Sequence, residues 1–358
     1  MEGVTDAPMR TLLGERGGFS YCVSEFLRVS QDVPPARVFF EHIPELKNGA
    51  RTPTGVPVQI QLLGGDAQKL AATARLACEL GARAIDLNFG CPAPTVNRHD
   101  GGATLLKCPD RIREIVSAVR AAVPAQYPVS AKLRLGWDSM DSIDENAERA
   151  AEGGASWIAI HGRTRMQGYI PPAYWGPIGR VRKRLGIPVI ANGEIWTMDD
   201  FRRCRDETES PHFMVGRGVL GDPDLPLKIA AELGLLSKSV VEERMGRKLD
   251  DHYRFAEPRA WLDLLNRFTV ISEPYSDGSK YTLHRIKQWL RYAKARHDIA
   301  WFDVVKRMQT LEEVLSALGN LDDRGSASPE SVNHFGHEGV QIFGAPAPRD
   351  PVAVHHHG

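Results

Sequence analysis

No stretch of this chain approaches the roughly 20 apolar residues that span a bilayer, and Met1 to Asp6 lack the basic and then apolar order of an export signal. A soluble protein of the cytoplasm is expected. The five cysteines, Cys22, Cys78, Cys91, Cys108 and Cys204, show no Cys-x-x-Cys spacing, which argues against a zinc site and a disulfide framework. No metal is expected. Charge of one sign is missing too: Lys+Arg and Asp+Glu are both 45, so a nucleic acid or membrane surface must be met by a local patch. No Gly-x-Gly-x-x-Gly opens a βαβ unit, the glycines from Gly14 to Gly18 following no strand, so a Rossmann nicotinamide domain is not supported.

What is present is a succession of short apolar runs, at residues 21–24, 58–63, 84–87, 129–133, 157–160, 188–191 and 212–215. They read as buried parallel strands. Between them lie amphipathic segments, such as Asp110 to Val123 with Ile112, Ile115, Val116 and Val119 at helical spacing. Repeated βα units of this kind predict an α/β fold, a (β/α)8 TIM barrel. Only seven strands are visible, so the first strand of the barrel is expected to be missing or truncated. After about Leu235 the strand signal stops and a small all-α domain is expected. The expected division is a barrel over residues 1–240, a helical domain over 241–321 and a disordered tail over 322–358, rich in Gly, Pro, Ser and His.

The third run leads straight into Asn88, Cys91 and Pro92. At the C-terminal end of a barrel strand a thiol can donate a proton, an amide can read the polar edge of a planar substrate, and a proline stiffens the backbone. A buried cysteine packed as a small hydrophobe is the plainer alternative. Other polar groups fall at the same end: Glu25 and Arg28, Gln61, Lys132 and Arg134, His161 to Arg165, Asn192 to Glu194, and Gly216 to Gly218. Loops after the last two strands of such barrels commonly bind phosphate, and Gly193, Gly216 and Arg217 suit that use; tight βα turns are the alternative. Lys132 inside an apolar strand needs an anion, an electron-rich ring or a carboxylate partner, and His161 can be a ligand contact or a satisfied core histidine.

With these residues assembled the chain resembles the tRNA-dihydrouridine synthases. The matching segments are residues 1–6, 88–92, 101–105, 132–138, 161–164, 191–194 and 215–218. Segments 61–64, 135–139, 192–196 and 285–289 are most similar to the bacterial C-type members, which act on uridine 16. The resemblance implies an FMN-binding barrel, a helical tRNA-binding domain, NADPH or NADH as electron donor, and a monomer. It implies that Met1, Glu2, Gln61, Lys132, His161, Asn192, Gly193, Glu194, Gly216 and Arg217 hold FMN. Arg28, Asn88, Arg163 and Arg165 would meet the flipped uridine and its phosphates, and Lys280, Arg285, Lys287 and Arg291 the rest of the tRNA. Tyr281, Trp289 and Tyr292 interleave with that patch.

The implied reaction is reduction of the uracil C5=C6 bond, with a hydride from reduced FMN to C6 and a proton from Cys91 to C5. An ordinary thiol, with a pKa of about 8.5, is a competent acid near pH 7. Family members carry a strand ending in Ala-Pro before the Met-Glu-Gly motif, so a natural start upstream of Met1 is expected, as is a barrel that keeps its flavin when cut after Val240. Two other readings remain: a flavin-dependent dihydroorotate-type dehydrogenase, which leaves the basic helices without a purpose, and a non-catalytic RNA-binding protein, which leaves the barrel-mouth cluster without one.

Overall fold

The computed structural model describes residues 3–325, apart from residues 31, 99, 252–254, 256, 276–278 and 298. Met1 and Glu2, expected at the flavin, and residues 326–358 of the expected tail lie outside the described residues. The boundary expected at Asp322 falls inside the last helix, Leu311–Gly325. Its apolar face ends at Leu318, but a nucleated helix extends through polar residues at little cost.

The strands are β1 (Cys22–Val23), β2 (Leu27–Arg28), β3 (Val58–Leu63), β4 (Ile85–Asn88), β5 (Val129–Arg134), β6 (Trp157–His161), β7 (Val189–Asn192) and β8 (Phe213–Met214). They form one parallel sheet in the order β1-β3-β4-β5-β6-β7-β8, with β2 also on β3. Helices alternate with the strands, which makes the fold TIM-barrel-like; among the described residues no ladder joins β8 back to β1 or β2. Strand β3 is buried along its whole length, as a strand covered on both faces must be.

The seven expected runs are all present, and the first, 21–24, is followed by a second short strand, β2, on the same partner. From Cys22 to Leu27 the chain advances five residues while its partner advances four, from Val58 to Leu62. That is a bulge. Ser24 fills the interrupted ladder, its hydroxyl accepting from the Gln61 amide at 3.0 Å. The bulge turns Glu25 to the amino-terminal segment, where its carboxylate accepts from the amides of Val4 and Thr5 at 2.8 and 3.1 Å. Glu25, expected among the mouth residues, is therefore an anchor.

One apolar core lies between the sheet and its helices, built from residues such as Ile60, Leu87, Ile115, Leu133 and Ile160. A second joins the helical segment, with Trp261, Phe268, Ile286 and Trp289, to Val4, Met9, Leu12 and Leu13 near the amino terminus and to Val219 and Leu220 after β8. This core crosses the boundary expected at residue 240. A chain cut there would leave the amino-terminal helix, Ala7–Arg16, without its apolar cover, which argues against a self-sufficient barrel.

The same interface is fastened by charge. Arg285, on helix Ser279–Lys294, donates to Asp6 at 2.6 Å, to the Val4 carbonyl at 2.7 Å and to the Gly3 carbonyl at 2.5 Å. Tyr281 donates to the same carboxylate at 2.7 Å. Arg285 is buried here and not offered to RNA, because it shares a helical face with Thr282 and Trp289. Trp289 is likewise in the core, its indole N–H donating to the Leu220 carbonyl at 3.0 Å.

Candidate active site at the carboxyl ends of the strands

The register brings the expected residues to one level. Asn88 pairs with Lys132, and Arg134, His161, Asn192 and Met214 form the top rung across β5, β6, β7 and β8. Cys91 and Arg217 follow three residues after β4 and β8.

Cys91 is half-buried, and its loop is tied down through its own carbonyl, which accepts from Asn97 Nδ2 at 3.0 Å and from the Ala103 amide at 3.1 Å. Gly102 must be glycine there: its φ is +60° and an added Cβ would lie 2.9 Å from that carbonyl. By contrast, burial pushes the thiols of Cys22 and Cys204 up to about 12, which leaves them neutral and inert.

Beside the thiol loop runs a chain of amides. Buried Asp86 accepts from Gln61 Nε2 at 2.7 Å and from Ser130 Oγ at 2.5 Å. Gln61 Oε1 then accepts from Asn88 Nδ2 at 2.9 Å, and Asn88 Oδ1 accepts from the Gly90 amide at 2.9 Å. The Gly90 N–H, which can only donate, thus fixes which way both amides face. The sequence reasoning missed Asp86 and Ser130. The available signal was an aspartate inside a buried strand, which must be partnered.

Lys132 stands next to this chain. Burial first, and Arg134 second, lower its pKa to about 7 against the pull of Asp86. A free lysine titrates near 10.4, so between about pH 7 and 10 the unfolded chain holds a proton that the folded one lacks. Stability should therefore rise across that window, the burial cost standing in full below about pH 7. Replacing Lys132 by methionine should flatten the rise in a series of thermal melts; parallel curves for the two proteins would show that Lys132 stays charged. His161 is held well below its usual value by burial and by Lys132, Arg134, Arg163 and Arg217, so it is neutral at physiological pH, and its buried Nδ1 has no partner among the described residues.

On the far side Gly193, at φ +111°, brings its backbone against His161: a Cβ would lie 3.2 Å from the Gly162 amide nitrogen and 3.4 Å from the imidazole. The guanidinium of Arg217 lies 4.4 Å from the ring centre of Tyr169 and 5.4 Å from that of Trp196. Two rings hold it face-on, and no hydrogen bond fills its N–H edge among the described residues. Arg163 was expected to meet substrate phosphate. It is fully buried, donating to the Ile170 carbonyl at 2.8 Å and bonding Glu194, because a buried guanidinium needs such partners. Glu194 is accordingly spent on cations, Arg296 at 2.7 Å being the other. Burial, with Arg217, Arg134 and Arg296, brings Arg163 down to about 10.

Among the remaining expected residues, Asn192 donates to the Met214 carbonyl at 2.7 Å. Arg28 is exposed at the tip of β2, lining a cleft of about 500 Å³ with Lys69, Gly64 and Gly101. Arg165 lies 4.6 Å from the Trp137 ring centre. Lys280 and Arg291 are exposed, whereas Lys287 donates to the Met308 carbonyl.

The N–H edge of Arg217, without a hydrogen bond among the described residues, cations crowded enough to depress one another, and neutral amides and imidazole beside them fit a planar heterocycle carrying a phosphate. FMN is such a molecule. An open parallel barrel with this mouth at its strand tips defines an enzyme of the TIM-barrel type. The chain belongs to the dihydrouridine synthase family, whose model matches residues 1–263. It is similar to three proteins named tRNA-dihydrouridine(16) synthase. That of Pseudomonas syringae pv. tomato is 50% identical over 321 residues, 89% of this chain and 96% of that protein. That of Pseudomonas putida is 46% identical over 295 residues, covering 81% and 85%. That of Shewanella oneidensis is 45% identical over 276 residues, covering 75% and 87%. The protein is thus an oxidoreductase.

Proposed function

We propose that this enzyme reduces the C5=C6 bond of uridine 16 in tRNA to 5,6-dihydrouridine, in the cytoplasm and as a monomer, with FMN resident and NADPH or NADH as the electron source. The observation that carries this reading is the meeting, at one strand level, of the Cys91 loop with an amide chain and a cation-rich cradle. When bound, FMN supplies the hydride that C6 of the uracil accepts. Gln61, Lys132 and His161 flank the heterocycle, and Arg217, with the backbone at Gly193 and Gly216, takes the phosphate. Glu194 serves the cradle indirectly, by holding Arg163 and Arg296. Asn192 and Gly193 border the ribityl chain.

Hydride addition at C6 leaves negative charge shared between C5 and the C4 carbonyl oxygen. The Cys91 thiol protonates C5 and is restored by a proton from water, so one hydride and one proton complete the reduction. Asn88, its amide set by Gln61 and the Gly90 N–H, faces the uracil edge. The uridine must leave its stack at a cost of a few kcal/mol, offset by backbone contacts that exposed Arg28, Lys280 and Arg291, and half-buried Arg165, would supply.

The test is to incubate purified protein, FMN and NADPH or NADH with unmodified tRNA and to map dihydrouridine by position. Dihydrouridine at position 16 is expected. Formation elsewhere overturns the position, and reduction of free orotate or UMP with tRNA untouched would favour the dihydroorotate-type dehydrogenase.

A further inference from the structure

Just beyond helix Ser279–Lys294 the chain carries Arg296 into the barrel mouth. Its guanidinium donates to Glu194 Oε1 at 2.7 Å and lies 4.6 Å from the ring centre of Trp196. The same indole bears Arg217 at 5.4 Å; Tyr169 bears Arg217 at 4.4 Å and Arg134 at 5.2 Å. Cations and rings therefore alternate in one row: Arg134, Tyr169, Arg217, Trp196, Arg296. It begins beside the thiol loop, where Arg134 donates to the Gly90 carbonyl at 2.8 Å, and ends in the helical segment.

Glu194 is the only carboxylate hydrogen-bonded to Arg134, Arg163, Arg217 or Arg296 among the described residues. Four guanidinium groups against one carboxylate leave an excess of positive charge that a phosphate dianion offsets. Within that group Arg296 has a particular place. Among the described residues Arg217 has no ion pair, and its orientation depends on the two rings beside it. Trp196 is buried, with Arg296 against it, and Glu194 ties Arg296 to the fully buried Arg163.

We propose that Arg296 is a positioning residue of the anion cradle: by bridging Glu194 and Trp196 it sets the guanidinium of Arg217, so that retention of the cofactor's phosphate depends on the helical segment being docked. This rests on the reading of the mouth as an FMN site. It gives the helical segment a second use besides contact with RNA, since a shift of that segment moves Arg296 and loosens the grip on phosphate.

The experiment is a pair of fluorescence titrations, with FMN and with riboflavin, which has the same ring system and no phosphate. Wild type is compared with Arg296→Ala and Arg296→Lys, and thermal melts check the fold of each. The side chain is 40% exposed, so truncation leaves little unfilled space. For Arg296→Ala the FMN dissociation constant is expected to rise about 10-fold, roughly one charge-assisted contact, with riboflavin binding unchanged. Lysine keeps the charge toward Glu194 without the planar face for Trp196, so Arg296→Lys should fall between the two. Unchanged FMN affinity in the alanine variant, or equal weakening of both flavins, overturns the proposal while leaving the flavin site standing. A wild-type protein that binds neither flavin overturns both.

Discussion

Replacing Cys91 by alanine is expected to lower dihydrouridine formation in tRNA by about 10²- to 10⁴-fold, the usual size of a general-acid contribution. The loop should survive the change, because it is held through the Cys91 carbonyl and through Gly102. FMN content and flavin reduction by the nicotinamide should therefore stay as they are. The three measurements separate the steps: visible absorbance for flavin, anaerobic bleaching for its reduction, and mapped dihydrouridine for turnover. Turnover within a few-fold of wild type would remove Cys91 as the acid and point to water or another group near C5.

The second large effect is on stability. Replacing Arg285 by alanine removes the cationic partner of Asp6, which keeps Tyr281, and leaves the carbonyls of Gly3 and Val4 without the guanidinium that donates to them. Asp6 keeps 21% of its side chain exposed, so the cost falls below the about 3–5 kcal/mol of breaking a fully buried pair from one side. A clear fall in melting temperature is expected, with faster hydrogen exchange at the amides of Val4 and Thr5, which are held by Glu25. An unchanged melting temperature would mean that the apolar contacts of Met9, Leu12 and Leu13 suffice.

The strands were legible because each is a short apolar run between polar helices, and the mouth because polar residues at strand ends share one face of a parallel barrel. Asn88, Lys132, His161 and Asn192 all meet there. What sequence spacing could not carry is partnership across long separations. Arg163 and Arg165 stand two residues apart with similar surroundings in the sequence, yet one is buried against Glu194 and the other lies on Trp137. Tyr169 and Trp196 act on Arg217 from two different loops. Arg285 was within reach of periodicity: three residues from Thr282 and four from Trp289, it falls on the buried face of its helix. A view of the segment as one basic patch hid that.

The clasp between Asp6 and Arg285 spans 279 positions of the chain. During synthesis residues leave the ribosome in order, so the first helix emerges long before the side chains that complete its surroundings. Strands β3 to β7 can pair with sequential neighbours as they appear, whereas Val4, Met9, Leu12 and Leu13 must wait for Trp261, Ile286 and Trp289. Helix Ala7–Arg16 can thus be fastened early through polar contacts, Glu25 on the Val4 and Thr5 amides and Glu45 on Arg10, while its apolar side chains stay without Trp261, Ile286 and Trp289 until nearly the whole of the described structure has been translated.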